Sequence, residues 1–171
     1  MLRNRKMPTV RLDDKALAAY LDSHLVGSSA GIRMFNAAKR TWKGTEAARA
    51  LAGIEQEVSG ERREIKQLMR ALGYRRSMVK AAAARAGAVV GKLNPVNPLR
   101  TGGGATGQLE LELLQSALKG KECLWRTLQE LADAQPRLDR RRLAELLDKV
   151  HQQQETVAEI MRRTAPGRFT K

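Results

Sequence analysis

Residues 38–51 read AKRTWKGTEAARAL, and the three residues Lys43, Gly44 and Thr45 inside this stretch decide the fold. Gly44 is a natural stop for the helix that precedes it. The Thr45 hydroxyl can accept a hydrogen bond from the open N–H groups of a new first turn. A connection this short between two long helices folds the second back along the first, as an antiparallel hairpin.

Upstream of this turn, Asp13 or Asp14 caps a first helix. Its inward stripe is Leu17, Leu21, His24, Ser28, Gly31, Phe35, Ala38 and Trp42, spaced by three and four. Small residues at 27, 28, 30 and 31 let a neighbour approach closely. Downstream, a second helix runs from about Glu46 to Leu72 on Leu51, Ile54, Val58, Glu61, Ile65, Leu68 and Leu72, and Gly73 ends it. A long connection over 74–108 follows. Ser77 caps a short helix in it, before Pro95, Pro98 and the run TGGGATG break the chain. A third helix spans about Gln108 to Ala132, with Leu111, Leu114, Ala117, Leu118, Leu124, Trp125, Leu128 and Leu131 inward. After Pro136, Asp139 caps a fourth, which reaches about Arg163 on Leu143, Leu147, Val150, Gln154, Val157 and Met161.

The expected fold is therefore all-α: a four-helix bundle of two antiparallel hairpins joined by a long crossover containing a short helix. Residues 1–12 form a flexible basic arm, 13–163 a single bundle domain with 74–108 as its crossover, and 164–171 a frayed tail. At 171 residues the chain is long enough for one substantial core. Aromatic residues are only 4%, so Leu and Ala must fill that core. No apolar run is long enough to span a bilayer, and no apolar stretch follows the basic start. Cys123 is the single cysteine, which rules out an intrachain disulfide and any multi-cysteine zinc site. A reducing compartment, the cytoplasm, is the expected location.

The 32 Lys and Arg against 18 Asp and Glu give a net charge of +14. Between Arg70 and Arg100 the charged residues are Arg70, Arg75, Arg76, Lys80, Arg85, Lys92 and Arg100, with no acidic residue among them. Such a segment can contact anions or nucleic acid through phosphate neutralisation. Tyr74 is the one aromatic residue at its edge, too few for stacking on single strands.

Two polar residues, His24 and Glu61, fall where their helices expect apolar ones. Across the first turn His24 lies level with about position 63, within a helical turn of Glu61. Lys121 and Gln154 occupy comparable places on the second hairpin. The expectation is a buried polar layer of His24, Glu61, Lys121 and Gln154, with Glu57 and Glu110 at its edge, in which opposite charges and hydrogen bonds cancel. One role for such a layer is to fix helix register. A metal site is the sharper alternative, drawing on His24, Glu57, Glu61, Glu110, His151 and Glu155. Di-iron bundles use a Glu on each of two helices and Glu-x-x-His on each of the others. Glu-x-x-His occurs nowhere in this chain, and Lys121 would compete with a cation for the carboxylates. The expected cofactor is none. Cys123 lacks a partner to activate it, and TGGGATG lacks the Gly-Lys-Ser/Thr ending of a phosphate loop, so it reads as a hinge.

The stretches YLDSHLVGSSAG (20–31), EQEVSGERREIKQLMRALG (55–73) followed by SMVK, and LELELLQSALKGKECLWRTL (109–128) resemble small bacterial helical proteins with a ferritin-like fold and uncharacterised function. The resemblance covers about residues 14 to 163. It implies the bundle topology without the di-iron ligands. The expected function is a non-enzymatic interaction or stress-related accessory role, with self-association or a protein partner. The alternatives are a basic protein that binds nucleic acid, and a metal-dependent oxidoreductase.

Overall fold

The computed structural model describes residues 12–75 and 104–170. The described residues form four long helices and one short one: α1 (Asp14–Thr41), α2 (Glu46–Ala71), α3 (Gly104–Leu131), α4 (Arg140–Thr164) and α5 (Pro166–Phe169). No strand occurs among them. The basic arm, up to residue 11, lies outside the described residues, as do the short helix expected after Ser77 and Arg76, Lys80, Arg85, Lys92 and Arg100.

Each helix start carries the expected chemistry where a capping oxygen is present. Asp13 Oδ1 accepts from the Ala16 N–H at 3.0 Å, Thr45 Oγ1 from Ala48 at 3.2 Å, and Asp139 Oδ1 from Arg142 at 3.1 Å. Caps of this kind contribute about 1 kcal/mol each. Gly44, at φ +84°, makes the turn between α1 and α2 in a region that side chains with a Cβ avoid. Gly73 does the same after α2, at φ +77°.

α1 packs on α2 and α3 on α4. α1 also packs against α3, and α2 against α4, while α1 and α4, like α2 and α3, sit across a diagonal. The core between them is largely leucine, including Leu21, Leu25, Leu51, Leu111, Leu114, Leu118 and Leu128, with Phe35 and Trp125 as the largest buried side chains. Each fully buried leucine contributes roughly 1.5–3 kcal/mol over its exposed state.

Two expectations need correction. α3 begins at Gly104, so Gly104, Ala105, Thr106 and Gly107 of the expected hinge are helical. Part of the expected tail is helical as well. Pro166, with its fixed φ, opens α5, and α5 packs against α3 and α4. The Arg168 guanidinium lies 4.2 Å from the centre of the Trp42 ring, a cation–π contact that ties the end of the chain to the α1–α2 turn. A Cβ added at Gly107 would fall 2.8 Å from Arg168 Nη1, so a bare glycine is what lets the guanidinium pass over α3.

Gly53, exposed on α2 with open space around it, gives the contrasting case. Gly53→Ala is expected to raise stability by roughly 0.5–1 kcal/mol through helix propensity alone. Gly107→Ala is expected to lose that gain, because Arg168 must leave Trp42. Urea denaturation of the two variants measures this, and an equal gain from both would contradict the packing of Arg168.

Candidate functional site

Four polar residues, Glu57, Glu61, Lys121 and Gln153, converge on one layer, built from α2, α3 and α4. Lys121, on α3, forms an ion pair with the Glu61 carboxylate of α2 and donates a hydrogen bond to Gln153 Oε1 of α4. The Gln153 amide nitrogen in turn donates to Glu61 Oε1 at 2.9 Å and to Glu57 Oε2 at 2.6 Å. Glu61 and Gln153 are both buried, and only 12% of the Lys121 side chain is exposed. Burial pushes the Lys121 ammonium below its ordinary pKa, while the Glu61 carboxylate and the Glu57 charge pull it back up.

The residue bonded in this layer is Gln153, not the expected Gln154. Both lie between Val150 and Val157 at spacings compatible with the α4 stripe, so periodicity does not separate two adjacent glutamines. Gln154 sits one step round the helix. Its side chain donates to Glu122 Oε2 at 3.0 Å, and its backbone carbonyl accepts from Gln115 at 2.7 Å.

His24 departs from the expected pairing too. It lines the same cavity as Glu61 and Lys121, but among the described residues it has no hydrogen bond to Glu61. Its ring meets Tyr20 edge-on, with centroids 4.6 Å apart, and burial lowers its pKa, favouring the neutral imidazole.

Glu110 lies about three helical turns from Lys121 along α3, and so is no part of this layer. It belongs to the end of the bundle, where Thr41 Oγ1 donates to its Oε1 at 3.3 Å. Burial raises its pKa, with Thr41, Trp42 and Arg168 opposing the rise.

His151 and Glu155 are exposed on α4, and Glu155 accepts from Arg162 at 2.6 Å. Arg70 and Arg75 are exposed as well. Cys123 is exposed and free.

Two further buried carboxylates went unseen in the sequence. Glu122 accepts from Lys119 at 2.9 Å, Arg126 at 2.8 Å and Gln154, with His151 Nε2 at 3.7 Å. The Lys119 and Gln154 hydrogen bonds hold its pKa down to about 2. Asp22 on α1 is buried, and neither carboxylate oxygen has a hydrogen-bond partner among the described residues. The i, i+3 and i, i+4 spacing of Lys119, Glu122 and Arg126 was a readable signal for the first; nothing in the pattern marked the second.

The candidate metal ligands are thus dispersed. Among the described residues no group of three His, Cys, Asp or Glu side chains is placed to hold an ion. The two carboxylates that do come together, Glu57 and Glu61, already face a cation and an amide donor supplied by the chain itself. The residues present therefore do not fit a di-iron centre.

No protein-family model, no curated protein and no solved structure matches this chain.

The layer's hydrogen bonds are unequal, and that sets a prediction. Removing Lys121 leaves two carboxylates facing one amide, whereas removing Glu61 leaves Lys121 with Gln153 and the Glu57 charge. Lys121→Met is expected to cost about 3–5 kcal/mol, the range for breaking a buried pair. Glu61→Leu is expected to cost markedly less. Equal shifts of the two denaturation midpoints would contradict this arrangement.

Proposed function

We propose that this chain is a ferritin-like bundle of the non-enzymatic kind, acting in an interaction or accessory role, with its polar centre serving structure instead of redox chemistry. The observation that carries this reading is the Lys121 ammonium, seated against Glu61 and Gln153 where a bundle oxidase would need a metal cation. A lysine there neutralises Glu61 without any ion, and it repels one.

The pairings support two antiparallel hairpins. Along α1 and α2, Asp14 meets Tyr74, Ser29 meets Arg62 and Lys39 meets Glu55. Along α3 and α4, Lys121 meets Gln153 and Asp133 meets Arg140. Tyr20 meets Thr127 and Thr41 meets Glu110, so α1 and α3 also run in opposite directions. The chain leaves the described residues beside the start of α1 and re-enters them beside its end. This placement of the two ends supports the reading of a single long crossover, as in ferritin-like folds.

An interaction role draws support from Leu109 and Leu113, one turn apart on α3, and from Phe169 on α5. These are the exposed large apolar side chains among the described residues. The net charge of +14 favours a second reading, contact with nucleic acid, whose signature is a steep fall of affinity with salt.

Anaerobic calorimetric titration with ferrous, manganous or zinc ions tests the proposal on untagged protein. The expected result is less than one ion bound per chain and an unchanged thermal midpoint. Stoichiometric binding that raises the midpoint would contradict it, since a ligand of the native state alone must stabilise that state.

A further inference from the structure

A half-open cavity of about 440 Å³ lies beside the polar layer, bordered by α1, α2 and α3. Ordinary small-molecule sites occupy roughly 300–1,000 Å³, with apolar walls and a few convergent polar groups. Here the floor is Phe35, Leu118, Leu124 and Ile65, all buried. The rim contains Ser23 and Gly27 of α1 and Gly120 of α3, all exposed. The space exists because residues that would fill it are small. A Cβ added at Gly27, Gly31 or Gly120 would meet nothing within 4 Å.

The charged groups around the cavity already have partners. Glu61 is paired with Lys121, and Arg62 directs its Nε to Ser29 Oγ at 3.1 Å. A charged ligand would lose its hydration and compete with these contacts. His24 differs. It is half-buried, lines the cavity, and among the described residues has no hydrogen-bond partner. A neutral imidazole offers one donor and one acceptor. Ser28 Oγ, which donates to Leu25 O at 2.8 Å, keeps acceptor capacity next to it.

We infer that the α1–α2–α3 cavity is a binding site for an uncharged amphipathic small molecule, its apolar body against Phe35, Leu118 and Leu124 and its hydroxyl or carbonyl head at His24. Polar groups at one side and apolar walls at the other fix the orientation of such a ligand. The inference is independent of the ferritin-like topology, since it uses only the cavity and its lining.

Fluorescence of N-phenyl-1-naphthylamine, a neutral apolar dye, tests it on the full chain, with 1-decanol and decanoate as competitors. The dye is expected to brighten saturably, and decanol to displace it at about tenfold lower concentration than decanoate. Gly31→Leu and Gly27→Leu, each verified as folded by circular dichroism and thermal midpoint, are expected to weaken dye binding at least about tenfold, equivalent to about 1.4 kcal/mol. His24→Phe is expected to weaken displacement by decanol while dye binding persists. No saturable brightening of the wild-type protein would overturn the site. So would undiminished binding by either folded leucine variant. Decanoate competing as well as decanol would overturn the uncharged class of ligand.

Discussion

The ammonium group of Lys121 reaches from α3 to the Glu61 carboxylate on α2 and the Gln153 amide oxygen on α4, joining two helices that otherwise lie across a diagonal from each other. An ammonium out of water is costly, and so is a carboxylate, so each needs charged or hydrogen-bonding partners there. The layer therefore constrains the register of three helices at once. A shift of α4 by one helical turn would put Val150 or Val157 in the place of Gln153 and leave Lys121 and both glutamates short of partners. The leucines on either side supply most of the apolar burial, but they are far more tolerant of such slips, because one leucine substitutes readily for another.

That constraint also shapes what the interior can do. The two carboxylates that come together in the core, Glu57 and Glu61, gather around a side chain of the protein itself. The cavity beside the layer lies to one side, bordered by α1, α2 and α3, where Gly27, Ser28, Gly31 and Gly120 take the place of bulkier residues. His24 stands at the boundary of the two regions. It lines the cavity, has its pKa lowered by burial, and is not consumed by the Glu61–Lys121–Gln153 network. Layer and cavity thus have separate roles, the first in specifying the fold and the second in offering a surface to a ligand.

Much of this was legible in the residues. Gly44 and Thr45 fixed the first turn, Asp139 the start of α4, and the three-and-four spacing of leucines the inward faces. Glu61 and Lys121 stood out as charges on apolar stripes, and they meet. Other features were not legible for reasons that can be named. Gln153 and Gln154 are chemically identical neighbours, and a helix period of 3.6 does not choose between them. Glu110 lies on the inward face of α3 but at another level, and the pattern of one helix carries no information about height in the bundle. The helical part of the tail depends on Arg168 crossing Gly107 to reach Trp42, a contact between residues distant in sequence. Asp22 owes its burial to tertiary packing that no local pattern announces.

The burial of Lys121 has a direct spectroscopic readout. In protein labelled with ¹⁵N at the lysine side chains, the Nζ resonance of Lys121 can be identified by its loss in Lys121→Arg and followed through alkaline pH. An ammonium held between Glu61 and Gln153 and removed from water should exchange its protons slowly and titrate below 10.5, the ordinary lysine value, because desolvation outweighs the pull of the carboxylates. A Lys121 resonance that exchanges rapidly with solvent and titrates alongside the exposed lysines would place that side chain in water and contradict the polar layer at the centre of this fold.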